Sequence, residues 1–160
     1  MQTFITEQPA ITLTGVHVRT TNADEAGPNR RLPQLWETYF QSQITSQTST
    51  INSHLIYALY TEYESDAAGA YTTLIGHEAT GDKSQNEDKF HTAQVPASKY
   101  LVFTAEKGPV YEVVAQAWGT IWAYFKESGE VRTFTGDYEL YDTRNWDPAE
   151  TQIQIFIAIK

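Results

Sequence analysis

The feature that most constrains this chain is an internal repeat. Tyr57, Leu59, Tyr60, Asp66 and Ala68 recur as Tyr138, Leu140, Tyr141, Asp147 and Ala149, five identities in 23 aligned positions between Tyr57–Ala79 and Tyr138–Lys160. Both copies read as Tyr-x-Leu-Tyr in a β-like run, an Asp-x-Ala turn, then a second β-like run. Duplication of a supersecondary unit fixes the number and order of elements, so it outranks local propensity as a guide to the fold. Between the paired tyrosines stand Ala58 in one copy and Glu139 in the other, which marks where the halves cease to be equivalent.

The preceding segments repeat as well. Leu32, Leu35, Trp36, Tyr39 and Phe40 fall on one helical stripe after Pro33. Val110, Val113, Val114, Ala117, Trp118, Ile121, Trp122 and Phe125 form a longer stripe after Lys107-Gly108-Pro109, with Gly129 placed to stop that helix. Trp36 then corresponds to Trp118, and Phe40 to Trp122. A strand over 11–21 opens the first unit, its apolar phase shifting at Gly15 as a bulge would shift it. A strand over 91–105, bent near Pro96, opens the second. The expected fold is α+β: two pseudo-symmetric strand-helix-strand-strand repeats forming an antiparallel sheet, two main helices on one side, and a cleft between the halves. Repeat one spans about 11–80, a polar linker about 81–89 and repeat two about 90–160, in a single domain over 1–160.

Composition narrows the function. Twenty acidic against eleven basic residues give a net charge of −9, which repels phosphate backbones and argues against nucleic acid as a direct partner. No cysteine is present, so disulfides, thiolate metal sites and thiol catalysis are excluded. No apolar run could span a bilayer and the first residues lack a secretory signal, which predicts a soluble cytoplasmic protein. His17, His54, His77 and His91 are scattered without metal-ligand spacing, and no nucleophile elbow, phosphate loop or dinucleotide fingerprint occurs. No metal or cofactor is expected.

The residue that carries most chemical information is Glu139. A carboxylate between Tyr138 and Tyr141 in a hairpin strand is either a desolvated anion awaiting a cation, a solvent-facing glutamate, or the partner of Arg132 or Arg144. An organic cation would satisfy it and gain cation–π attraction of about 0.5–2 kcal/mol per aromatic face. Trp36, Tyr39, Tyr100, Tyr111, Trp118 and Trp122 either wall a pocket between the halves or pack their own cores. In the last strand, Ile153, Ile155, Ile157 and Ile159 form a core face. The opposite face, with Gln152, Gln154, Phe156 and Ala158, borders either a cavity or solvent.

The order of elements, Lys107-Gly108-Pro109 before the long helix, Tyr138-Glu139-Leu140-Tyr141 and the closing Ile155-Phe156-Ile157-Ala158-Ile159-Lys160 together resemble the gyrase-inhibitor-like effector-binding domain over essentially the whole chain. That family includes ligand-binding halves of AraC-type and MerR-type multidrug regulators and stand-alone forms, some encoded in integron cassettes. The resemblance implies a pocket between the two halves for bulky, planar, lipophilic and often cationic compounds, with Glu139 as counter-charge. It implies ligand-binding roles for Tyr141, Trp118, Trp122 and Tyr100, with Gln152 and Gln154 at pocket positions of the last strand; Trp36, from the aromatic set above, joins these candidate ligand-binding residues. With no room for a helix-turn-helix ahead of its first strand, the chain is expected to act as a stand-alone binder that senses or sequesters a drug or metabolite. A protein-interaction module like the gyrase inhibitors and a small Glu/Tyr-dependent hydrolase are the alternatives.

Overall fold

The two Tyr-x-Leu-Tyr motifs lie side by side in the middle of the molecule. In the computed structural model, residues 2–66, 68–80, 90–144, 147, 149, 150 and 152–160 are described. The elements run β1 (Gln2–Gln8), β2 (Ile11–Thr21), α1 (Asn22–Glu25), α2 (Leu32–Ser42), α3 (Ile44–Gln47), β3 (Thr50–Ile51), β4 (Leu55–Thr61), β5 (Ala70–Ala79), β6 (His91–Val95), β7 (Ser98–Thr104), α4 (Val110–Glu127), β8 (Asp137–Asp142) and β9 (Gln154–Ile159). Both repeats are present, as β2-α2-β4-β5 and β7-α4-β8-β9. The 81–89 linker lies outside the described residues, as do the side chain of Tyr111 and part of the second hairpin loop.

Among the described residues all nine strands belong to one antiparallel sheet of order β1-β7-β9-β8-β4-β5-β2-β6, with β3 added beside β5. Outward from the central β4/β8 pair, one half reads β4, β5, β2 and the other β8, β9, β7, the same order in each repeat. In that central pair Ala58 stands opposite Glu139, its own counterpart in the repeat. A residue that pairs with its own equivalent marks the pseudo-two-fold axis, so the axis passes between Ala58 and Glu139.

A two-stranded ribbon closes the sheet. The β1 strand was not expected, because its side chains are mostly exposed and leave no burial pattern to read; its ladder to β7 holds it in place. The expected strand over 91–105 is two strands, β6 and β7, broken at Pro96-Ala97 where proline cannot donate to a ladder. Gln2↔Thr104 and Ile11↔Val95 share one continuous register. Therefore β1-β2 and β6-β7 form a single two-stranded ribbon, kinked where Pro9-Ala10 meets Pro96-Ala97. That ribbon ties β2 to β7, the outer strands of the two repeats, and rolls the sheet on itself.

Rolling gives the sheet two cores. On one face Leu35 and Tyr39 of α2 and Val113, Ala117 and Ile121 of α4 cover Ile56, Ala58, Tyr141, Ile155 and Ile157. The other face holds Leu13, Leu59, Leu74, Tyr100, Val102, Tyr138 and Phe156, drawn from strands alone; it is buried because the sheet curls around it. The phase change in β2 follows from this: Ile11 and Leu13 face the rolled interior, while Val16 and Val18 pack beneath the helices. The bulge expected at Gly15 is absent, since the β2/β5 register runs from Leu13↔Glu78 to Thr21↔Ala70 without a skip. Helix α4 ends before Gly129: Ser128 is the C-cap, in an extended conformation, its N–H bonded to the carbonyl of Tyr124.

Candidate functional site

Alternation along β8 sends Asp137, Glu139 and Tyr141 to the helix-covered face and Tyr138 and Leu140 to the rolled interior. Their β4 neighbours on that face are Tyr60, Ala58 and Ile56. Each main helix buries one edge of its apolar stripe and offers the other edge to the gap between α2 and α4. The result is a cleft of about 760 Å³ with Glu139 and Tyr141 on its floor, Trp36 and Phe40 on the α2 wall, and Trp118 and Trp122 on the α4 wall. Phe40 and Trp122 remain 66% and 45% exposed, large apolar side chains at its opening.

Glu139 is 1% exposed although it lines this cleft. Three neutral donors hold it: the Tyr60 hydroxyl to Oε2 at 2.7 Å, the Trp118 indole N–H to Oε2 at 2.6 Å, and the Tyr141 hydroxyl to Oε1 at 2.6 Å. Burial raises its pKa above the ordinary glutamate value, and the bonds from Tyr141, Tyr60 and Trp118 oppose that rise. The Tyr60 and Tyr141 hydroxyls are themselves pushed well up, first by burial and then by the adjacent carboxylate, so they stay protonated and keep donating. Among the described residues no basic side chain pairs with Glu139. Arg132 is engaged with Asp137 at 2.7 Å, and Arg144 with exposed Asp142 at 2.6 Å.

The cleft is itself two-fold. Trp118 meets Tyr60 edge to face with centroids 5.3 Å apart, and Trp36 meets Tyr141 edge to face, also at 5.3 Å. Trp118 and Trp122 lie 6.1 Å apart, Trp36 and Phe40 5.9 Å apart, both tilted. Each repeat thus supplies the same aromatic set, and the axis pair Ala58/Glu139 puts the charge on one side.

Of the residues expected from sequence, Glu139, Tyr141, Trp118, Trp122 and Trp36 come together here. Tyr100 does not: it is 1% exposed in the rolled interior, against Tyr138 and Phe156. Gln154 faces away from the cleft and donates to Thr104 at 3.4 Å, and Gln152 is exposed. The amphipathic face of β9 borders the inner core through Phe156 and Ala158 rather than a cavity. Tyr39 is a core residue whose hydroxyl meets His77 Nε2 at 2.7 Å. Tyr60, Tyr63, Tyr71 and Arg132 also line the cleft and were not anticipated. Tyr60 was within reach of the sequence, since it is the repeat counterpart of Tyr141.

An antiparallel sheet built from two repeats, with two main helices on one side, is the fold of an effector-binding domain. The chain belongs to the Cass2 family of integron-associated effector binding proteins, whose pattern matches residues 4–159. It is 36% identical over 147 residues to YobU of Bacillus subtilis (strain 168), a protein named as a transcriptional regulator, covering 91% of this chain and 90% of YobU. The crystal structure of the Vibrio cholerae integron cassette protein VCH_CASS2 superposes with a TM-score of 0.81 at 31% identity, covering 99% of this chain and 95% of that one. The structure of SAV2435 bound to tetraphenylphosphonium shares the fold, with a TM-score of 0.75 at 19% identity over 100% of this chain and 94% of that one.

Proposed function

We propose that this protein binds bulky lipophilic cations reversibly in the aromatic cleft, with Glu139 as counter-charge, and so senses or sequesters a drug-like or metabolite cation. The observation that carries this reading is a carboxylate with 1% exposure that lines a cleft of about 760 Å³ and has neutral donors but no cationic partner among the described residues. A buried anion without an opposite charge is costly, and a ligand that brings one removes part of that cost. Transfer of the ligand's apolar surface adds about 25 cal/mol per Å². The tetraphenylphosphonium held by SAV2435, which shares this fold, supports the same ligand class. A hydrolase reading has less support, because three hydrogen bonds to Glu139 leave little room for a water it could activate.

Tryptophan fluorescence titration with tetraphenylphosphonium and with neutral triphenylphosphine oxide, for the native chain and Glu139→Gln, tests the proposal. The native protein is expected to favour the cation by about tenfold or more, equivalent to about 1.4 kcal/mol, and the variant to lose that preference. Equal affinities for both ligands in both proteins would refute it.

A further inference from the structure

The hydrogen bonding around Glu139 says which cations the cleft takes. A carboxylate offers about four lone-pair sites, and three are filled by Tyr60, Trp118 and Tyr141. Those same side chains cover the group, leaving it 1% exposed. The remaining lone pair, on Oε1, lies beneath that cover, so an ammonium N–H entering the cleft bonds Glu139 only by shifting one of these three donors.

The second carboxylate and the side-chain amide oxygen that line the cleft are also engaged. Glu25 holds the Thr20 hydroxyl and the backbone N–H groups of Arg31 and Leu32. The Asn22 side-chain oxygen accepts from the Tyr71 hydroxyl. Coulombic attraction acts through the covering rings, whereas hydrogen bonding needs a free lone pair. A cation without N–H gains the first and forfeits nothing. A primary ammonium brings three donors into a place with few acceptors, and each unmet donor costs about 1–3 kcal/mol.

We infer that Tyr60, Trp118 and Tyr141 act as a specificity filter, making this a site for onium cations that carry no N–H donor, such as quaternary ammonium, phosphonium or charge-delocalised heteroaromatic ions, and a poor site for primary ammonium ions. The inference rests on the cation-binding reading above and names the ligand class of that same cleft.

The test is a methylation series, 1-naphthylmethylammonium and its N-methyl, N,N-dimethyl and N,N,N-trimethyl forms, titrated at about pH 7, where the amines are protonated. Added methyl groups also raise affinity by burial, about 0.8 kcal/mol each. The discriminating quantity is therefore how the trimethyl-to-primary affinity ratio changes when a lone pair is released. In Tyr141→Phe, which frees Oε1, and in Tyr60→Phe, which frees one lone pair of Oε2 and leaves Trp118 on the other, the apolar contribution of the ligand methyl groups persists while a primary ammonium gains an acceptor. The ratio should fall by about fivefold or more in at least one variant, through tighter binding of the primary amine. An unchanged ratio in both overturns the inference. Tetraphenylphosphonium titrated alongside separates the two failures: if the native chain binds it and the ratio does not move, only the filter is wrong, and if it is not bound, the cation-binding reading falls with the filter.

Discussion

Two carboxylates lie two residues apart on the same face of β8 and meet opposite fates. Asp137 is fully buried with a built-in cation, Arg132 at 2.7 Å, and also accepts from the Tyr63 hydroxyl and the Ala158 N–H. Arg132 in turn lies over the Phe134 ring at 4.3 Å. Glu139 has donors only. Removing one member of a matched buried pair strands the other, so Asp137→Asn should lower stability by about 3 kcal/mol in urea unfolding. For Glu139 the expected signature is in binding. Its carboxyl pKa is raised, chiefly by burial, and the cation selects the ionised form. Cation affinity should therefore be constant above the raised pKa and weaken as pH falls through it, with binding in that range releasing a proton. Calorimetry in buffers of different ionisation enthalpy detects this release; a buffer-independent enthalpy and a flat profile in acid would show that Glu139 is not the counter-charge.

At the scale of elements, backbone approach decides more than propensity. Gly15 of β2 and Gly76 of β5 stand opposite each other, and a Cβ on either would overlap the backbone of the facing strand. Gly15→Ala or Gly76→Ala should each cost at least about 2 kcal/mol in urea unfolding, because the clash is with main chain that cannot rotate away. Gly119, on the exposed side of α4 with open space around it, is the internal contrast. Gly119→Ala should stabilise by about 0.5–1 kcal/mol through helix propensity. These glycines also show how far the sequence could be read. The helix stripes and both hairpins were legible because each repeats a periodicity fixed by burial. At Gly15 the same periodicity misled: it records which face is buried, and β2 changes buried face by leaving one core for the other. The β1 strand was invisible for the complementary reason, since its ladder rather than an apolar face holds it. Tyr100 is expected in the pocket from the family resemblance, yet it lies in the rolled interior, because a tyrosine before an apolar strand can face either core.

On the scale of the whole molecule, the duplication explains why the two copies do not both carry a glutamate at the Ala58/Glu139 position. Ala58 and Glu139 pair with each other across the pseudo-two-fold axis, so glutamate in both copies would set two buried carboxylates side by side, their Cβ atoms about 4.5–5.5 Å apart. Like charges at that separation cannot both ionise without a large penalty. Ala58→Glu should therefore fold well in acid and lose stability as pH rises, since the native state would retain a proton that the unfolded chain releases. The aromatic frame, however, is indifferent to which copy holds the charge: Tyr60 and Tyr141 exchange under the axis, as do Trp118 and Trp36, and the ring distances match at 5.3 Å. The double variant Ala58→Glu/Glu139→Ala thus moves the carboxylate across the axis to a place where both tyrosines and the Trp36 indole can assume the three donor roles. It should recover stability at neutral pH relative to Ala58→Glu, and bind tetraphenylphosphonium within about tenfold of the native chain. The Glu139→Ala single variant should lose its preference for the cation over triphenylphosphine oxide. If the double variant binds no better than that single variant, the two halves of the cleft are not equivalent in function, and the position of Glu139 depends on repeat-two residues beyond the paired aromatic set.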